Sequence, residues 1–165
     1  WNLLVRNRIF LPNDMRSASV GYTWPEWVEP LWLHRWDGED LIAYRPQIRY
    51  GNTRLLDGAD QARGSIVDLT RFGRAQMQRP PGAPWPYGWV AWPHPSGAKE
   101  RLLFFHNGSN TFQYAALWLD PHRRQGLCLA TNVGSDGTGS IEKTAASCEA
   151  IFSSLWKASF GTTGP

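Results

Sequence analysis

The stretch that most constrains this chain runs from Arg101 to Thr131. Arg101-Leu-Leu-Phe-Phe leads into the polar tetrad His106-Asn107-Gly108-Ser109, and the apolar run Gln113-Tyr-Ala-Ala-Leu-Trp-Leu-Asp120 follows. Gly126-Leu-Cys-Leu-Ala-Thr131 is a third apolar segment. Runs this short, rich in aromatic and branched residues and bounded by polar or Gly/Pro connections, read as strands. Asp120-Pro-His-Arg-Arg-Gln-Gly126 is the polar hairpin connection between the second and third. Tyr87-Gly-Trp-Val-Ala-Trp92 reads as a strand ahead of them, with Pro93-His-Pro-Ser-Gly97 as the turn. A four-stranded antiparallel sheet is expected. The polar tetrad is expected to break out where the 101–105 strand ends, and chemistry is expected at that break.

Two helices complete the outline. From Ser140, the residues Ile141, Ala145, Cys148, Ile151 or Phe152, and Leu155 recur at three- and four-residue steps, which predicts an amphipathic C-terminal helix on one face of the sheet. Ser65-Ile-Val-Asp68 reads as a capping-box variant opening a helix to about Gln78, with Ile66, Leu69, Phe72, Gly73 and Met77 at helical spacing. Arg79-Pro-Pro-Gly-Ala-Pro84 ends it. At the N-terminus, Trp1, Leu4, Val5 and Ile9 fall near one helical face until Pro12 stops the pattern. No capping residue precedes that pattern, so the chain is expected to begin inside an element. The expected fold class is α+β, in a single partial domain over 1–165. Residues 1–84 form a helical and loop-rich cleft border, and 85–165 the sheet and C-terminal helix.

From Asn13 to about Ala62 periodicity is scarce. Trp24, Trp27, Trp32 and Trp36 stand among Pro25, Pro30 and the turn signal Asp37-Gly38. They read as buried anchors for a long loop excursion, given the area each indole can bury. The competing reading is a non-catalytic binding module whose Trp-rich loop stacks on sugars or peptides.

The balance of charge excludes some partners. All but three of the 17 Lys and Arg residues are Arg, spread along the chain without a basic run, so no nucleic-acid partner is expected. No apolar run approaches the ~20 residues that span a bilayer, so no membrane span is expected. Cys128 and Cys148 match no metal-ligand spacing and read as buried thiols. Two cysteines also allow one disulfide, which leaves the compartment open. His34, His94 and His122 have no carboxylate or cysteine at ligand spacing, so no metal site is expected, and no cofactor is implied.

Four stretches together resemble a known family. Arg8-Ile-Phe-Leu-Pro-Asn-Asp-Met15-Arg-Ser-Ala18 is similar to a helix end followed by a "PLGM-T-S/T" turn. Gly58-Ala-Asp-Gln-Ala-Arg-Gly-Ser65-Ile-Val-Asp68-Leu-Thr-Arg-Phe72 resembles a "P-A-G-G…S-x-x-D-x-A-R-F" run. His106-Asn-Gly108 occupies the place of a K-T-G or H-x-G motif. Leu119-Asp120-Pro121 and Ala130-Thr131-Asn132 match the strand ends beyond it. In this order the segments resemble the C-terminal half of the serine β-lactamase/penicillin-binding-protein superfamily, on its class C-like and esterase-like side.

The resemblance implies acyl transfer through a serine ester, on small-molecule esters, amides such as D-amino-acid peptides, or β-lactams. His106 would stand where Lys is usual and assist orientation or proton transfer. The backbone N–H of Ser109 would be one oxyanion-hole donor, and Asn107, Gly108 and Asn110 would line the substrate. An extracytoplasmic location is implied too. His rather than Lys leans toward esterase or D-peptidase chemistry. In the family the S-x-x-K and Tyr-x-Asn motifs precede the segment that Trp1 onward resembles, so this chain is expected to lack both and to be inactive alone. A polypeptide carrying the missing half is the implied partner. By letters, S-x-x-K occurs at Ser96–Lys99, Ser140–Lys143 and Ser154–Lys157. The first lies in a turn, the last inside a helix, and Ser140 reads as the cap of the C-terminal helix.

Overall fold

The computed structural model describes residues 1–21, 31–45, 61–79, 88–93, 102–109, 112–134 and 141–160. Its elements are α1 (Asn2–Val5), β1 (Ser19–Val20), β2 (Leu33–Asp37), β3 (Asp40–Tyr44), β4 (Ala62–Arg63) and α2 (Ile66–Met77). After these come β5 (Val90–Pro93), β6 (Leu102–Ser109), β7 (Tyr114–Asp120), β8 (Gln125–Thr131) and α3 (Glu142–Phe160). The chain is α+β, as expected.

β5, β6, β7 and β8 form a four-stranded sheet in that order, antiparallel throughout. Side chains of a strand alternate between faces, so the register sorts them. Phe105 opposite Trp118 and Trp118 opposite Leu127 put one set on the first face. There Leu103, Tyr114, Ala116 and Trp118 pack with Cys148, Phe152 and Trp156 of α3. Trp118 stacks on Phe152 with centroids 4.2 Å apart, and Phe152 meets Trp156, which has no exposed surface. On the second face Phe104, Leu117 and Leu119 pack against Leu69, Phe72 and Met77 of α2. The sequence predicted a helix on one face only. α2 covers the other, making three layers, and this is why Tyr114–Leu119 is apolar at every position rather than at alternate ones.

The polar tetrad differs from expectation. His106 to Ser109 do not break out of the strand: they are the second half of β6 and pair with β7 as far as Ser109 opposite Tyr114. Ladder bonds use the backbone, so polar side chains are no obstacle once they find partners. β5 is shorter than expected, its first described strand residue being Val90. The 94–97 turn lies outside the described residues.

α2 follows the sequence closely. The Ser65 hydroxyl accepts from the Asp68 N–H and the Asp68 carboxylate accepts from the Ser65 N–H, a complete capping box. Asp68 is buried, 1% exposed, and also accepts from the hydroxyls of Ser65 and Ser17. Arg71 stands 3.6 Å from it and reaches Asp14 as well, at 3.2 Å. Burial alone would raise the carboxyl pKa, but the bonds from Ser17 and Ser65, with Arg71 nearby, hold it below its ordinary 3.8. One buried carboxylate thus ties the 14–17 segment to the start of α2. Further along α2, Gly73 lets the helix sit close: a Cβ there would lie 3.2 Å from methyls of Leu117 and Leu119.

Three expectations need correction. The N-terminal helix continues through a π-helical turn, Arg6–Phe10, and a 3₁₀ turn, Leu11–Asn13, that contains Pro12. The i→i+5 spacing of the π turn brings Phe10 to the side of Val5. Those two are buried while Trp1 and Leu4 are exposed, so the apolar face read from 3.6-residue spacing is not the one used. Residues 33–44 are not loop but the hairpin β2–β3, closed at Gly38-Glu39 with Gly38 at φ +61. In α3 the buried stripe is Cys148, Phe152 and Trp156; Ile151 and Leu155 are exposed. Ser140 lies outside the described residues.

The hairpin docks at the far end of β8. His34 N–H donates to the Asn132 carbonyl at 2.8 Å, and the indole N–H of Trp36 donates to the Thr144 hydroxyl at 3.0 Å. Lys143 lies over the Trp36 ring at 4.2 Å and pairs with Glu39. Trp36 is therefore an anchor, as predicted, whereas Trp32 is exposed. Trp24 and Trp27 lie outside the described residues.

Two outcomes are expected. Gly126→Ala places a Cβ 2.9 Å from the Trp118 carbonyl oxygen and is expected to cost about 1–3 kcal/mol in urea unfolding. Gly108→Ala meets nothing within 4 Å and is expected to leave unfolding nearly unchanged. For Asp68, whose folded pKa is depressed, the stabilisation is full above the ordinary carboxyl value of 3.8 and is lost as pH falls below it. Melting temperature should therefore fall more steeply below about pH 4 in the native chain than in Asp68→Asn.

Candidate functional site

β6 has two unlike halves. From Leu102 to Phe105 it is flanked by β5 and β7, the last β5 pair being Val90 with Phe105. From His106 to Ser109 the described residues supply a strand on the β7 side only. The chain leaves the edge at Gly88, whose φ of +97 belongs to the left-handed region that glycine tolerates. A polar half-strand with no described strand on its β5 side is a surface against which an extended ligand can lie.

The register divides the tetrad. His106 and Gly108 share the α2 face with Leu117 and Ala115, and Asn107 and Ser109 point to the α3 face with Ala116 and Tyr114. The His106 side chain is exposed, and Trp89 meets it edge-on, centroids 6.3 Å apart. Gly108 opens to free space. On the opposite face the Asn107 amide donates to the hydroxyl of the buried Tyr114 at 2.9 Å. Burial pushes the Tyr114 phenol pKa up, with the Asn107 bond acting against that. The Ser109 hydroxyl donates to the Gln113 carbonyl at 2.6 Å. So the expected catalytic His106 and the expected substrate-lining Gly108 are brought together at the surface, while the side chains of Asn107, expected to line a substrate, and of Ser109, expected to act through its backbone N–H, serve the fold. Asn110 lies outside the described residues.

Possible nucleophiles are accounted for as follows. Lys143 is tied to Glu39, to the Gly38 carbonyl and to the Trp36 face. Ser154 donates to the Ala150 carbonyl inside α3, with no helix N-terminus beside it. Ser96 and Lys99 lie outside the described residues. Ser17 contacts the Asp68 carboxylate, whose lowered pKa makes it a poor base. Both cysteines are free thiols, and burial raises both pKa values, which lowers their nucleophilicity at neutral pH. Tyr50-Gly51-Asn52 does spell Tyr-x-Asn by letters, against the expectation that the chain lacks that motif. It follows rather than precedes the Pro12–Met15 segment, and it lies outside the described residues. Among the described residues no three His, Cys, Asp or Glu side chains are grouped to hold a metal. No described helix is long and apolar enough to cross a membrane.

A feature the sequence did not reveal lies on the same face of the sheet. A groove of about 560 Å³ runs between α2 and the β7–β8 hairpin, with Gly73, Met77, Leu119, Gly126 and Cys128 along it and arginines at its rim. It depends on a helix and a hairpin meeting across more than forty residues of chain, so no local motif marks it.

No protein-family model matches this chain, and no curated protein does either.

Asn107 and His106 are expected to separate by stability. Asn107→Ala strands the buried Tyr114 hydroxyl and should cost about 1–3 kcal/mol in urea unfolding. His106→Ala, at an exposed position, should stay within about 0.5 kcal/mol of the native chain.

Proposed function

We propose that this chain forms one wall of the cleft of a β-lactamase-related serine hydrolase, the wall that carries an H-x-G third motif. The observation that carries this reading is the second half of β6: a histidine exposed beside a side-chain-free Gly108, on a strand whose neighbour β5 ends at their threshold. An extended acyl substrate laid along it would meet the His106 imidazole and pass Gly108 without hindrance. The Ser109 N–H is the proposed oxyanion donor, and removal of one such donor costs about 2.7–4 kcal/mol of barrier lowering. The order of the motifs around it, from Pro12–Met15 through Ser65–Phe72 to His106–Gly108, supports the assignment to this class, as does the Ser65–Asp68 cap linked to Ser17. The substrate class is a small-molecule ester, amide or β-lactam.

The S-x-x-K nucleophile is proposed to come from polypeptide outside this sequence. Incubated alone with a fluorescent penicillin or an activated ester, the chain should take no covalent label; labelling would refute the division of the site. Mixed with a polypeptide carrying the S-x-x-K half, it should restore hydrolysis. His106→Ala should then lower the rate by about a hundredfold or more.

A further inference from the structure

His106 stands at the border of a packed wall. Pairing with Leu117 puts its side chain on the α2 face, and Val90 opposite Phe105 is the β5 pair just before it. One residue further in the same register, Trp89 comes opposite His106, with its side chain on that face because neighbours in an extended chain alternate. The indole packs there against the cluster of Phe104, Leu117 and Leu119, to which α2 adds Leu69 and Phe72. Trp89 is therefore part of the wall itself.

The imidazole lies outside that cluster and leans on it. Its ring meets the Trp89 indole at 75°, with centroids 6.3 Å apart, within the range in which aromatic pairs attract edge to face. The backbone at Gly88 borders the ring as well: a Cβ there would lie 4.0 Å from His106 Cδ2. A histidine that moves protons is commonly oriented by a hydrogen-bonded carboxylate. Among the described residues no carboxylate pairs with this one, and the contact that confines it is packing. Confinement matters, because an exposed histidine has three χ1 wells and a two-fold χ2, about six orientations in all. A group engaged in proton transfer must be held within about 0.5 Å of its working position.

We infer that Trp89 is the positioning residue for His106, holding the imidazole by ring packing in the orientation from which it meets a substrate passing Gly108. Ring packing engages neither imidazole nitrogen, so both stay available to exchange a proton. What the imidazole does there rests on the hydrolase reading; that Trp89 holds it does not.

The first measurement uses the full chain with isotope-labelled histidine, the His106 signals being assigned by their loss in His106→Ala. NMR couplings across χ1 should show one rotamer, with nuclear Overhauser contacts from the imidazole to the Trp89 indole. Averaging over the wells in the native chain overturns the inference, and this reading decides even if a variant fails to fold. Trp89→Phe keeps a ring and should retain the single rotamer. Trp89→Leu keeps only apolar bulk for the cluster and should lose it; a Leu variant with His106 still fixed overturns the inference. The second measurement is hydrolysis in the presence of the polypeptide carrying the S-x-x-K half. Trp89→Leu should lower kcat by about three- to sixfold with KM almost unchanged. In a His106→Ala background, where there is no imidazole to place, it should lower kcat no further. An equal loss in both backgrounds marks Trp89 as merely structural and overturns the inference. Absence of hydrolysis with the native chain sinks the hydrolase reading instead, and the rotamer measurement then decides on Trp89 by itself.

Discussion

The double burial of β7 is the constraint on which the rest depends. A central strand with helices on both faces cannot carry a polar side chain without a partner. Between Tyr114 and Leu119 its polar side-chain groups are the Trp118 indole N–H and the Tyr114 phenol, to which Asn107 donates from β6. Everything else is placed relative to that strand. α3 is seated by Trp118 on Phe152, α2 by Leu117 and Leu119 beneath Gly73, and His106 by its pairing with Leu117. The face on which His106 emerges is thus decided by register. A one-residue slip of β6 against β7 would turn its imidazole into the α3 core and expose Asn107 instead.

How far the sequence could be read follows the range of the forces involved. The β6–β7–β8 meander and the Ser65–Asp68 cap were legible because strand alternation and capping act over a few residues. The β2–β3 hairpin was not. Burial along β2 is graded rather than alternating, and the hairpin's anchor, Trp36, bonds to Thr144 on a helix 108 residues away. The π turn escaped because it changes the period by which apolar residues are matched, moving the buried pair to Val5 and Phe10. In α3 the choice of Phe152 over Ile151 was made by Trp118, which no pattern within the helix can reveal.

The candidate site was half legible. That the tetrad 106–109 is exceptional could be read from its polarity amid apolar neighbours. That its four side chains divide between two faces needed the register, and with it came the distinction between His106 and Gly108, which open outward, and Asn107 and Ser109, which hold the strand together. The arginine-rimmed groove was not legible, since its walls come from α2 and from β7–β8.

The unequal sequence separations of these contacts imply an order of assembly. The meander is closed by short turns, so its contacts incur little loop-closure entropy. The link from Ser17 to Asp68 closes 51 residues, and the bond from Trp36 to Thr144 closes 108. Contacts that close long loops become favourable only once the structures they join exist. The sheet with α3 is therefore a platform already in place when the β2–β3 hairpin arrives, and the hairpin acts as a late clasp across the end of β8 and the start of α3. A clasp formed late is expected, when loosened at Trp36, to let the protein unfold faster while leaving the rate of folding almost unaltered.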